Sequence, residues 1–375
     1  MSVAATLPPV PRTNIAPSPA NSGEHGGPKR VSAARITALA EELDGKLTAA
    51  IERIRSLNTE TKFIAINAKM EAMRAGGDAG KAFGVVAQAV QKVSNQTADV
   101  ACRLAAETHD TVIELREINE ILSTRVRGER LADLAYTSID LVDRNLYERT
   151  CDVRWWATDA SVVHACAEPT QSSLKHASQR MGQILDAYTV YFDIVLTDLE
   201  GRVVANGRPG HFASVGSCHA DKAWFRTALA CSSGQEFGFR SVSPSNLVNG
   251  QRCVIYSCGV REGGQPRGKL LGALAVVFRW DALAQEIVER TAKSAGTDAP
   301  ARVVLADSQG HVLADTERRF GQSLDIPERV RIFAAARNHT LLEMDGHRWL
   351  VGHALSPGFE TYATGWHAVV IQRMD

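Results

Sequence analysis

A heptad seam runs through the first third of the chain and limits what it can fold into. Apolar or small residues fall at Ile36, Ala40, Leu43, Leu47, Ala50, Ile54, Leu57, Thr61, Ile64 and Ala68, in steps that alternate four and three. That spacing predicts a long helix with one apolar stripe. The stripe stops at "AGGDAG", residues 75–80, because glycine disfavours helix and permits tight turns. The pattern resumes at Phe83, with Val86, Val90, Val93, Thr97, Val100 and Leu104 as a second stripe, loosening through Leu115, Ile118 and Leu122. Two arms of similar length joined by a tight turn make an antiparallel helical hairpin. A lone hairpin has a seam but little core. A second copy would have to cover its apolar faces, which predicts a homodimer with a four-helix bundle.

Beyond the hairpin, Ile139, Val142 and Leu146 keep helical spacing into "LYERTCDVRWWATDASVVHAC", which Pro169 ends or kinks. A further helix is predicted over about Gln171 to Tyr188. The texture then changes to strands. "IVLTDLEGRVVA" at 194–205 and "VVLADSQGHVLA" at 303–314 share one pattern: apolar, apolar, Leu, x, Asp, x, x, Gly, x, Val, apolar, Ala. Each predicts a buried strand, an Asp that hydrogen-bonds the turn backbone, a Gly at positive φ and an antiparallel return strand. More apolar strands follow each copy, so two α+β modules with antiparallel sheets are expected in tandem. The fold class is thus mixed, α plus α/β, in a multi-domain chain. The expected order is a disordered Pro/Ser/Gly-rich leader at 1–30, the hairpin at 31–128 with its tip near 76–80, connecting and sensor helices at 129–188, and modules at 189–285 and 286–375.

Composition narrows the function. The chain carries 42 basic and 42 acidic residues, so no electrostatic footprint for nucleic acid exists. The longest strongly apolar run, Leu270 to Phe278, is too short to span a bilayer. The N-terminus lacks the pattern of a secretory signal, so no membrane span and a cytoplasmic location are expected. Seven cysteines without a CxxC spacing predict thiols rather than a disulfide framework. No P-loop, GxSxG or HExxH is present, so the chain reads as no enzyme, with no catalytic residue, cofactor or metal.

"AINAKMEAMRAGGDAGKAFGVVAQAV" resembles the signalling tip of methyl-accepting chemotaxis proteins, the bacterial chemoreceptors. The resemblance spans about 35–125 and is most specific near 63–90. It implies a dimeric hairpin, packed as a trimer of dimers, whose tip binds the chemotaxis histidine kinase and its coupling adaptor. Asn67, Glu71 and Arg74 match the polar tip positions, and Phe83, Val85 and Val86 match the returning apolar face. Asn58, Glu60-Thr61-Lys62 and Gln91 depart from the family's pattern. Residues from about 130 to 372 resemble a double Cache sensor, a PAS-like module pair. Its anchor is "DKAWFRTAL", which maps Lys222, Trp224 and Phe225 onto a ligand pocket, with Phe239, Arg240 and Tyr256 as further lining. Lys222 and Arg240 together suit an anionic small-molecule ligand. The function implied is a chemoreceptor-like signal transducer for chemotaxis. The alternatives are a non-catalytic dimeric scaffold that has lost kinase coupling, and a redox or metal sensor built on the cysteines.

Overall fold

The computed structural model describes residues 33–296 and 299–374; the leader expected at 1–30 lies outside them. The chain divides between Ile121 and Leu122 into two compact units.

The first unit is a hairpin of α1 (Ala33–Ala75) and the start of α2 (Gly77–Trp156). The turn is tighter than the glycine cluster suggests. Gly76 and Gly77 take positive φ, 59° and 64°, and helix resumes at once. Gly80 already belongs to α2, and a Cβ there would meet the Ala72 carbonyl oxygen at 2.6 Å. The glycine therefore serves the close approach of the arms as well as the turn.

The expected seam needs correction. Ala40, Ile51, Ala65 and Ala72 on α1 and Gly80, Ala87, Ser94, Ala101 and Val112 on α2 are buried. The arms therefore close on mostly small residues, with Ser94 Oγ donating to Asn58 Oδ1 at 2.6 Å. The larger heptad residues Leu43, Leu57, Ile64, Val86, Val93 and Val100 are more than half exposed. Small side chains win the inner position because they let two backbones approach closely. The apolar bulk is left facing outward, uncovered by this chain.

In the second unit α2 continues, presenting Leu131, Ala135, Ile139, Val142, Leu146 and Val153 as one buried stripe. It breaks at Ala157–Asp159, earlier than Pro169. α3 (Ala160–Ala167) starts on an Asp159 cap, and α4 (Gln171–Ala187) starts on a Thr170/Ser173 capping box. Two five-stranded antiparallel sheets follow. The first comprises β1 (Tyr191–Thr197), β2 (Val203–Asn206), β3 (Gly238–Ser245), β4 (Gln251–Arg261) and β5 (Leu270–Phe278), ordered β2-β1-β5-β4-β3. The second comprises β6 (Ala301–Ala306), β7 (Val312–Asp315), β8 (Arg337–Met344), β9 (His347–Leu355) and β10 (His367–Arg373), ordered β7-β6-β10-β9-β8. The same order twice is what the repeated sequence pattern predicts. Both turns use the expected chemistry. Asp198 Oδ1 accepts from the Glu200 and Arg202 amides, Asp307 Oδ1 from those of Gln309 and His311, and Gly201 and Gly310 take φ of 81° and 86°.

α5 (Ala223–Ala230) covers one face of the first sheet, and α7 (Arg329–Phe333) covers the matching face of the second. α6 (Trp280–Ser294) joins the modules, its Trp280 Nε1 donating to Leu313 O at 3.0 Å. The opposite faces of both sheets share one core with α2. Asp143 on α2, fully buried, ties it to the β9–β10 loop by accepting from Ser356 Oγ, the Gly358 amide and Thr364 Oγ1 at 2.6–2.8 Å.

Candidate functional site

Two sites follow from the fold, one in each unit. At the hairpin end, Asn67, Glu71, Arg74, Phe83, Val85 and Val86 are all exposed. Arg74 Nη1 lies 2.9 Å from Glu71 Oε1, an i, i+3 pair worth little on a solvated surface. Phe83 and Val85 keep 67% and 68% of their surface open. Phe63, Met70 and Met73, which the sequence reading passed over, are also exposed apolar side chains on the adjoining stretch of α1. Large apolar side chains in water beside polar ones mark an interaction surface.

The second site is the α5 face of the first module. Trp224 is fully buried and Phe225 nearly so, packed with Val195, Phe212, Leu247, Ile255 and Val277. The Trp224 carbonyl accepts from Ser257 Oγ at 2.7 Å, while its indole Nε1 has no partner among the described residues. His219 lies 5.8 Å from the Trp224 ring and shares a 2.9 Å hydrogen bond with Ser217 Oγ. Burial, with the nearby Lys222 ammonium second and Arg240 contributing, holds the His219 pKa below its usual value. Lys222, at the start of α5, pairs with Asp221 at 2.8 Å and is 42% exposed. Arg240 donates to Pro244 O at 3.1 Å. The face therefore gathers a buried indole donor, a neutral imidazole and two cations.

The structure does not bring the expected ligand set onto one face. Phe239 pairs with Tyr256 across β3 and β4, and Arg240 pairs with Ile255. Alternation puts Arg240 on the α5 side and sends Phe239 and Tyr256 to the opposite side. There Tyr256 joins the α2 core, its hydroxyl 2.7 Å from that of Tyr362. Two residues near the α5 face were missed. One is His219, which stands beside Trp224 without belonging to the expected ligand set. Asp193, the cross-strand neighbour of Val277, is fully buried, accepts from Asn206 and three backbone amides, and is pushed up to about 6 by burial.

All seven cysteines are free. Burial pushes Cys166 up to about 12 and Cys253 and Cys258 to about 11, so those three are inert thiols near neutral pH. Among the described residues, no three His, Cys, Asp or Glu side chains are gathered as metal ligands, and no helix is long and apolar enough to cross a membrane.

The comparisons agree with this layout. Residues 85–375 match the family model of the Cache domain, and residues 16–146 match that of the methyl-accepting chemotaxis protein (MCP) signalling domain. The two matches overlap on α2. The chain is similar to the methyl-accepting chemotaxis protein Amb0994 of Paramagnetospirillum magneticum, 37% identical over 76 residues. That match covers 20% of this chain and only 16% of the relative's length. Its fold is similar to the sensory domain of the Campylobacter jejuni chemoreceptor Tlp3, at TM-score 0.51 and 15% identity over 67% of this chain and 95% of that one. The ligand-binding domain of the same receptor in complex with L-valine matches equally, at TM-score 0.51, 15% identity, 67% of this chain and 94% of that one. The chain belongs to the Cache domain family and carries, in the same polypeptide, a methyl-accepting chemotaxis protein signalling domain.

Proposed function

We propose that the chain is a chemotaxis signal transducer in which a small anionic molecule at the α5 face of the first Cache module biases the signalling hairpin. The hairpin, paired with a second copy through its outward Leu and Val residues, holds the chemotaxis histidine kinase and coupling adaptor at Glu71, Arg74 and the Phe83–Val86 face. The role is binding and relay, with no catalytic step. Its main support is that one helix, Gly77–Trp156, belongs to both units. A ligand that favours one packing of the sensor against α2 shifts the population of α2 conformations, and a few kcal/mol of differential affinity is enough. Charged side chains recur along α2, and in support of this reading no helix among the described residues is long and apolar enough to cross a membrane; the proposal takes the chain to act in the cytoplasm with the kinase.

The ligand half is tested by a thermal-shift screen of small carboxylates on the whole chain, followed by titration of the best binder. Lys222→Ala and Arg240→Ala are each expected to weaken it by about tenfold, as the loss of a charge-assisted hydrogen bond requires. Unchanged affinity in both variants would remove the α5 face from the account. A scaffold without kinase coupling is the alternative. It is favoured by Glu60 and Lys62, exposed departures from the family's tip pattern. Asn58 does not count toward it, because its departure is absorbed inside the hairpin by Ser94.

A further inference from the structure

A cavity of about 310 Å³ lies where the last turn of α2 meets β4 and the loop after β4, lined by none of Lys222, Trp224, Phe225 and Arg240. It is lined by Arg154, Trp155, Gln235, Cys258, Arg261 and Pro266, among others. Arg154 also borders a neighbouring cavity of about 440 Å³. Both arginines are largely buried, and neither forms an ion pair among the described residues. Arg154 donates to Thr150 O and Oγ1, Gln235 O and Cys151 Sγ, all neutral. Arg261 donates to Gly268 O at 3.0 Å and Cys231 O at 2.6 Å, and its buried Nε has no acceptor among the described residues. Glu236 accepts from Ser232 Oγ at 2.5 Å and borders the neighbouring cavity with Arg154, while no acidic side chain lines the first cavity.

Two partly desolvated guanidinium groups facing one cavity that no carboxylate lines are costly. The Arg261 Nε, closed off from solvent and without an acceptor among the described residues, adds to that side chain's cost. A planar oxyanion would supply the missing counter-charge, since the guanidinium fork matches a carboxylate. The Trp155 and Pro266 rings on the rim, and a volume larger than a bare inorganic anion requires, call for an organic body on that oxyanion. We propose that this cavity binds a small organic carboxylate, held by Arg261 and Arg154, which bridges the end of α2 to β4.

The test is calorimetric titration of the whole chain with benzoate, succinate and inorganic phosphate, each to about 10 mM. At least one carboxylate is expected to bind, with affinity falling about tenfold or more in Arg261→Gln and Arg154→Gln. Arg154→Lys keeps charge without the fork and is expected to fall between wild type and Arg154→Gln. Arg290→Gln, an exposed charge change on α6 outside both sites, is the control and is expected to leave this affinity unchanged, whereas loss confined to Arg240→Gln would assign the binding to the α5 face and overturn the proposal. A melting temperature near wild type establishes that each variant folds, and Arg154→Lys decides the matter where a glutamine variant does not. No binding by either carboxylate, or binding untouched in the variants, overturns the proposal. Binding of phosphate alone overturns the assignment of an organic ligand.

Discussion

Replacing Gly352 with Val is expected to lower the stability of the second unit by about 3 kcal/mol or more. Gly352 lies in the middle of β9, where α2 crosses the second sheet. A Cβ there would stand 2.3 Å from the Leu131 carbonyl carbon and 2.4 Å from the Ala132 nitrogen. Those are backbone atoms and cannot rotate aside, so the helix must lift from the sheet. Lifting it exposes the stripe from Leu131 to Leu146 and strains the Asp143 anchor in the β9–β10 loop. Urea unfolding of the whole chain measures the loss. Gly210→Ala, where a Cβ meets nothing within 4 Å, is the control and is expected to be neutral. A Gly352→Val variant within about 0.5 kcal/mol of wild type would contradict the contact between α2 and β9.

The second large effect is on pH. His353 and His367, almost wholly buried on the α7 face, share a 2.9 Å hydrogen bond between Nε2 and Nδ1. The Phe333 ring stacks on His367 with centroids 3.8 Å apart. Burial pulls both imidazoles from 6.5 to about 4, and for His353 the neighbouring His367 adds to the effect. The unfolded chain therefore binds protons in this window that the folded chain refuses. Stability from the pair is complete above pH 6.5 and is lost as pH falls toward 4, by about 3 kcal/mol for the first ring to be protonated. Asp193 works the other way: its carboxyl is raised from 3.8 to about 6, so its contribution is lost as pH rises. Comparing wild type with His353→Asn/His367→Asn isolates the imidazoles. The difference in unfolding free energy is expected to shrink between pH 7 and pH 4.5. A constant difference would mean that the rings titrate normally in the folded state.

Much of this architecture was legible as periodicity. The alternating four-three steps gave two helical arms, and the repeated Asp-x-x-Gly pattern gave two β1–β2-like hairpins, because both rules act locally. What failed was the choice among adjacent stripes. Ala40, Leu47, Ile54 and Thr61 belong both to the expected seam and to the side that faces the other arm. Ile51 and Ala65, rather than Ala50 and Ile64, complete it. A heptad count ranks positions by hydrophobicity, whereas close packing of two arms selects by size. The ligand set failed for a related reason. Phe239 and Arg240 are neighbours in sequence, and a strand sends neighbours to opposite faces, so one pocket cannot take both. Asp143 carries no local signal, because its donors lie more than two hundred residues away in the β9–β10 loop.

The central claim is that the hairpin end engages the chemotaxis machinery. Purified kinase and adaptor from the same organism, presented to the immobilised whole chain, test it most directly, with Glu71→Ala, Arg74→Ala and Phe83→Ala beside wild type. These side chains are exposed, so each variant should fold as wild type does. The account predicts capture of both proteins by wild type, with Phe83→Ala reducing it by roughly tenfold or more, as the loss of a large apolar contact does at an interface centre. No capture by wild type, or capture indifferent to all three substitutions, would contradict it and leave the hairpin as a scaffold.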